Sequence, residues 1–191
     1  MNGLVGWVLR RFGRVDLAVC AVWGGNEGFD GRRYPDGAAW GTPFWRRSAA
    51  PFGHTMETGP YAALLLARAV APAMVSAKAG LIALVSYETE AGYLGDLPYD
   101  LAKAATNRLA FAAAEELRPF GVTALALSPG HVRTERSVDA GLADETAESP
   151  LRAGRALAAL AADPQVAEEA GRTLRVADLA RRYAIADGPG S

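Results

Sequence analysis

Apolar residues gather into short runs separated by longer amphipathic stretches. Residues 15–19, 81–85, 122–127 and 173–176 are dense in Val, Leu, Ile and Ala, without the strict polar alternation of a strand that has one wet face. That pattern predicts strands of a sheet covered on both faces. Helical segments alternate with them at about 58–76, 98–118 and 150–162, with a shorter one near 177–183. Ser149 before Pro150 reads as a cap followed by a first-turn proline, and Asp96 is placed to cap the helix that opens at Pro98. Alternation of strand and helix predicts a parallel α/β sheet.

Two regions break the alternation. Residues 24–55 are rich in Gly, Pro and aromatics, among them Phe29, Tyr34, Trp40, Phe44, Trp45 and Phe52. A connection this long is expected to be functional or disordered; here it lines an apolar substrate pocket or collapses on itself as a surface loop. Residues 136–149 read as a second loop, whose Asp139, Asp144, Glu145 and Glu148 are expected to be solvated. The most apolar stretch, 62–75, contains Arg68 and Pro72 and is shorter than the roughly 20 residues of a membrane span, so a buried core or interface helix is expected.

Composition narrows the class. The chain has 191 residues, 50% of them hydrophobic, and a net charge of −1, which suits a single domain (residues 1–191) with a substantial core. Lacking a basic bias, it gives no sign of a nucleic-acid partner, and Arg32-Arg33 and Arg46-Arg47 are expected to be solvated loop charges. His54 and His131 are too isolated to suggest a metal site and are expected to be polar loop residues. The one cysteine, Cys20, cannot form an internal disulfide, and the first residues do not resemble a signal peptide, so a cytoplasmic protein with no membrane association is expected.

The candidate chemistry lies in Tyr99-Asp100-Leu101-Ala102-Lys103 and in Ser86, at the end of the run Gly80-Leu-Ile-Ala-Leu-Val85. On a helix, Tyr99 and Lys103 lie one above the other. A nearby ammonium would favour the phenolate and bring Tyr99 toward the range useful for proton transfer. Ser86 comes from the C-terminal end of a strand, where open parallel sheets place their ligand crevice. Gly92 and Gly95 mark a turn between them, and a later strand runs into Ser128-Pro129-Gly130.

With these segments, Gly13-Arg14-Val15-Asp16-Leu17, the run 115–122 and the run 128–135, the chain resembles the short-chain dehydrogenases/reductases. Trp23-Gly24-Gly25-Asn26-Glu27 and the ending Gly171-Arg172-Thr173 through Asp178-Leu179-Ala180-Arg181 look most like the member 1-like subgroup. The resemblance implies a doubly wound, Rossmann-like parallel sheet, an NAD- or NADP-dependent oxidoreductase, a small carbonyl or secondary-alcohol substrate, and a homo-oligomer formed through two long helices. It makes Tyr99 the catalytic acid/base, Ser86 the group polarising the substrate oxygen, and Lys103 the residue that lowers the Tyr99 pKa and binds the nicotinamide ribose. Pro129 and Gly130 would line the nicotinamide pocket, with the Val132 backbone and the Thr134 hydroxyl near the carboxamide and phosphate.

Three departures from the family pattern stand out. The Asn-Asn-Ala-Gly expected after the first strand reads Cys20-Ala21-Val22-Trp23-Gly24 here. The asparagine that completes a proton relay to the lysine aligns with Gly59. The glycine-rich phosphate-binding turn, which rests a pyrophosphate on a helix N-terminus, is not found: Gly24-Gly25 and Gly92 to Gly95 lack its spacing. The chain therefore reads as the C-terminal portion of a short-chain dehydrogenase/reductase domain, truncated to the family's strands four to seven, with weak or no turnover by itself. The reading from another class is a non-enzymatic remnant or interaction module that keeps the fold.

Overall fold

A computed structural model describes residues 2–25 and 27–186; Asn26, part of the subgroup motif, lies outside them. Four parallel strands, β1 (Leu17–Cys20), β2 (Gly80–Val85), β3 (Val122–Ser128) and β4 (Thr173–Arg175), form one sheet in the order β1-β2-β3-β4. The register sets Leu17 beside Leu81, Gly80 beside Val122 and Ala126 beside Thr173. All four predicted strands are present.

Both faces of β2 and β3 are covered, as their largely apolar runs require. On one face Ala18, Cys20, Ile82, Leu84, Ala124 and Ala126 pack under helices α1 (Asn2–Phe12), α3 (Ala62–Ala77) and α4 (Leu97–Leu117). On the other, Leu81, Ala83, Leu125, Leu127 and Leu174 pack under α6 (Pro150–Ala162) and α7 (Val176–Arg182). That second cover does not reach β1, whose Leu17 and Val19 are 36% and 41% exposed. β1 is thus an edge strand with one wet face.

The helix predicted from residue 58 starts earlier, at α2 (Ala50–Met56), and continues through one π turn (Glu57–Tyr61) into α3. Within it the Thr58 hydroxyl donates back to the His54 carbonyl at 2.7 Å, the i−4 bond open to a mid-helix threonine. His54 is accordingly a helical residue paired with Glu27 at 3.0 Å, and not a loop histidine. The resulting 28-residue helix is long and apolar enough to cross a bilayer by length and composition, unlike the shorter run seen in the sequence. Its Ala63, Ala67, Val70 and Met74 are instead buried against the sheet.

Helix α4 begins and ends as its sequence dictates. The Asp96 carboxylate accepts from the Tyr99 amide at 3.0 Å, and a proline occupies the first turn. Past α4 the chain reverses at Gly121, with φ +70, where a Cβ would stand 2.8 Å from the Lys78 carbonyl oxygen. Only glycine fits there without moving backbone. Ser149 caps α6 by accepting from the Leu151 amide.

Candidate active site

The site is built where β2 and β3 end. Ser86 follows β2, and its amide still donates to the Leu127 carbonyl at 2.8 Å, so the sheet itself holds it. Its buried hydroxyl donates to the Lys103 backbone carbonyl at 3.1 Å. Strand end and helix are thereby joined at the residues singled out from the sequence, and Tyr99 and Lys103 share α4 one turn apart.

Around them stands an aromatic shell whose members the sequence did not place beside Tyr99, although it offered Trp40 as a candidate for lining an apolar pocket. The Tyr99 ring lies 5.3 Å from Trp23, 5.5 Å from Trp40 and 6.1 Å from Tyr87, centroid to centroid. The Lys103 ammonium sits 4.1 Å from the Trp23 ring centroid and 5.6 Å from that of Tyr99. Tyr87 is held in turn by Asn107, whose amide donates to the Tyr87 carbonyl at 2.8 Å. The signal for Trp23 was present in the sequence, as the bulky residue replacing small ones beside Gly24-Gly25.

This shell reverses one electrostatic expectation. Burial is the leading cause that pushes the Tyr99 phenol upward, reinforced by Tyr87 and Asp100, and burial pushes Lys103 down to about 8. The lowering of Tyr99 expected from the lysine is not what the fold produces, because burial disfavours the charged phenolate and the neighbouring Tyr87 and Asp100 act in the same direction. In this arrangement Tyr99 is a neutral phenol and a proton donor.

The long segment 24–55 is collapsed on itself, one of the two expectations for it, and its end forms α2. Phe29 packs on Tyr34 at 4.6 Å and on Trp40 at 6.4 Å, and the Trp40 indole donates to the Leu94 carbonyl at 2.6 Å. Arg47, expected in solvent, pairs with Asp96, and both side chains are almost wholly buried. Its guanidinium also stacks 4.4 Å over the Tyr34 ring. The Asp96 carboxylate supplies the partner that makes burial of an arginine tolerable.

Pro129 and Gly130 border a cavity of about 320 Å³ that is also lined by Tyr87, Glu88, Ser128 and Arg175. Beyond it, Val132 bridges to Glu148, and Thr134 caps the short helix α5 (Glu135–Asp139) in a reciprocal pair with Ser137. The Thr134 hydroxyl thus already accepts the Ser137 amide at 3.1 Å. Two carboxylates expected to be merely solvated are engaged: Asp144 faces His131 at 3.7 Å, and Glu148 pairs with Arg152 at 3.0 Å. The loop 136–149 is folded back onto its own base by these ties. Among the described residues no group of three or more metal-ligating side chains occurs.

Residues 1–170 match the family model described as enoyl-(acyl carrier protein) reductase. The chain is 34% identical over 159 residues to dehydrogenase/reductase SDR family member 1 of Mus musculus, covering 75% of this chain and 51% of that protein. To the Homo sapiens member 1 it is 29% identical over 193 residues, covering 93% of this chain and 59% of that protein. The chain therefore spans little more than half the length of these curated relatives. In fold it is similar to ElxO with NADP bound, with a TM-score of 0.74 at 18% identity over 92% of this chain and 71% of that one. It is likewise similar to a short-chain dehydrogenase/reductase from Burkholderia xenovorans, with a TM-score of 0.71 at 20% identity over 91% of this chain and 66% of that one. On the match of its sequence to the family model, with the parallel sheet in agreement, the chain belongs to the short-chain dehydrogenase/reductase superfamily and is similar within it to member 1.

Proposed function

We propose that this chain carries the catalytic part of an oxidoreductase that moves a hydride between NAD or NADP and a carbonyl or secondary-alcohol substrate. The observation that carries the reading is the convergence of Ser86, Tyr99 and Lys103 at the C-terminal end of the sheet, tied together by the Ser86 to Lys103 hydrogen bond. Open parallel sheets bind their ligands at that end.

The surroundings suit the nicotinamide end of a dinucleotide. The cavity beside Pro129 and Gly130 opens next to Tyr87, which packs on Tyr99. Gly130, with φ +75 and nothing within 4 Å of an added Cβ, leaves room for a ring to approach the backbone. Pro129, Gly130, Val132 and Thr134 would hold the nicotinamide there, and Lys103 its ribose together with Tyr99. The bound coenzyme supplies or accepts the hydride. Tyr99, a neutral phenol in this apolar shell, donates its proton to the carbonyl oxygen in the reducing direction and takes it back in the other. Ser86 orients that oxygen once its hydroxyl turns from the Lys103 carbonyl. Lys103, as an ammonium, stabilises the phenolate that proton loss leaves behind.

The test is a chain extended upstream in the genomic reading frame: it should reduce simple ketones with NADPH or NADH, and Tyr99→Phe should abolish this. An extended chain that neither binds nucleotide nor turns over would sink the enzymatic reading. One observation favours a second reading, a non-enzymatic interaction module: Trp23 and Trp40 pack directly on Tyr99. Under it, the extended chain folds and self-associates but leaves nucleotide alone. Exposed Tyr61, Leu64, Leu101 and Phe111 on α3, α4 and the π turn support a homo-oligomer under either reading.

A further inference from the structure

Trp23 occupies a slot cut for it. A Cβ on Gly25 would stand 2.5 Å from Cζ2 of the indole, and one on Gly59 would stand 3.0 Å from Cζ3. The ring is thus gripped along both edges by residues without side chains. Its face is what it offers to Lys103, whose Nζ lies 4.1 Å from the ring centroid. Gly59 belongs to the π turn, and such turns mark places where a helix has been adjusted around a functional neighbour.

The rest of the Lys103 environment supplies little charge. The small void around it is lined by Cys20 and Val22 near the end of β1, Val85 of β2, Gly59 and Ala63 across the way, and Thr106 of α4. Cys20 is the one other titratable group on that lining, and Tyr99 follows at 5.6 Å, ring centroid to Nζ. No carboxylate is among these neighbours. A buried ammonium without an anionic partner is costly, and an aromatic face within about 6 Å is one of the few groups that can stabilise it.

We propose that Trp23 is a positioning residue for Lys103, holding the ammonium charged and in place through the face of its indole at the site where the family pattern has a relay asparagine. The substitution of Gly59 and the arrival of Trp23 are then two halves of one change: the glycine vacates the volume that the indole fills. Its relevance to turnover rests on the oxidoreductase reading, whereas the contact itself is testable without any coenzyme or substrate.

The test uses the fact that the chain has two lysines, Lys78 and Lys103. Lys78 is exposed at the end of α3 and serves as an internal reference. The whole chain is produced with tryptophan, 5-fluorotryptophan or 5,7-difluorotryptophan, and the pH dependence of acetic anhydride labelling is read for each lysine by mass spectrometry. Fluorine withdraws density from the π face and weakens its hold on a cation. The half-labelling pH of Lys103 should therefore fall stepwise through the series, by about 1 in total, while that of Lys78 stays put. In a Trp23→Phe chain the fluorine dependence should vanish, since the remaining tryptophans do not face Lys103.

Equal Lys103 profiles across the three preparations would overturn the proposal, as would a fluorine dependence that persists in Trp23→Phe. Should Lys103 in Trp23→Phe label like Lys78, that substitution has opened the site, and the fluorinated series with Trp23 intact decides alone. Because no turnover is measured, an inactive extended chain with an intact fluorine dependence would reject the enzymatic reading and leave this contact standing.

Discussion

Arg47 and Asp96, 49 residues apart in sequence, form an ion pair whose side chains are 2% and 3% exposed. Through its other oxygen, Asp96 caps the helix that carries Tyr99 and Lys103. The aromatic segment is therefore fastened to the N-terminus of the candidate catalytic helix by one carboxylate. Removing one member of a buried pair leaves the other charged and unsolvated, at a cost of about 3–5 kcal/mol. Arg47→Leu should lower stability in urea melts by that order and loosen residues 27–48 to protease. A loss below about 1 kcal/mol would show that the pair does not hold the segment down.

The pH dependence of stability follows from two opposite burial effects. Lys103 falls from 10.5 to about 8 on folding, so between those values the unfolded chain binds more protons and stability rises with pH. The gain should be on the order of 2 kcal/mol from pH 8 to pH 10. Tyr34 is pushed up to about 12, chiefly by burial, and Tyr99 moves in the same direction. Above pH 10 the unfolded tyrosines lose protons that the folded ones keep, and stability falls. Denaturant melts from pH 7 to pH 11 should show the maximum near pH 10, and Lys103→Met should remove the rising limb. A rise retained in that variant would assign it to another group.

Ser86 has a structural and a proposed catalytic role that one substitution can separate. Ser86→Ala loses the bond to the Lys103 carbonyl, worth about 1 kcal/mol. In the extended chain, loss of a donor at the reacting oxygen should cost on the order of 100-fold in kcat. Turnover within threefold of the parent would deny Ser86 the catalytic role.

Gly59→Ala sets helix propensity against packing. The methyl gains up to about 1 kcal/mol in a helix, but it stands 3.0 Å from Trp23, whose opposite edge abuts Gly25. Overpacking of about 1–3 kcal/mol should win. Calorimetry should show a lower Tm; a raised one would mean that the indole has room to retreat.

The β1 edge, with Leu17 and Val19 half exposed, should make the chain associate, as unpaired edges do. Val19→Lys should reduce the sedimentation coefficient toward that of a monomer. A parent chain that already sediments as a monomer and melts cooperatively would contradict this.

Much of this protein was legible in the order of its residues, because strand burial, helix caps and i, i+4 spacing are local. The run 81–85 is apolar throughout and 122–127 is broken only by Thr123, so their burial on both faces, and with it the parallel sheet, could be read directly. Asp96 before Pro98 announced the start of the helix, and the spacing of Tyr99 and Lys103 put both on one face. What surrounds those side chains was decided only by the tertiary structure. Trp23 and Trp40 lie 76 and 59 positions before Tyr99, and Arg47 lies 49 before Asp96, and nothing local says that they fold back onto them. The sign of the Tyr99 shift depended on that enclosure, since neighbouring charge alone argued for lowering and desolvation raised it. Likewise, Gly59 in the sequence was a missing asparagine; in the fold it is the space into which Trp23 fits, because a close contact between two side chains is a property of three-dimensional packing and not of spacing along the chain.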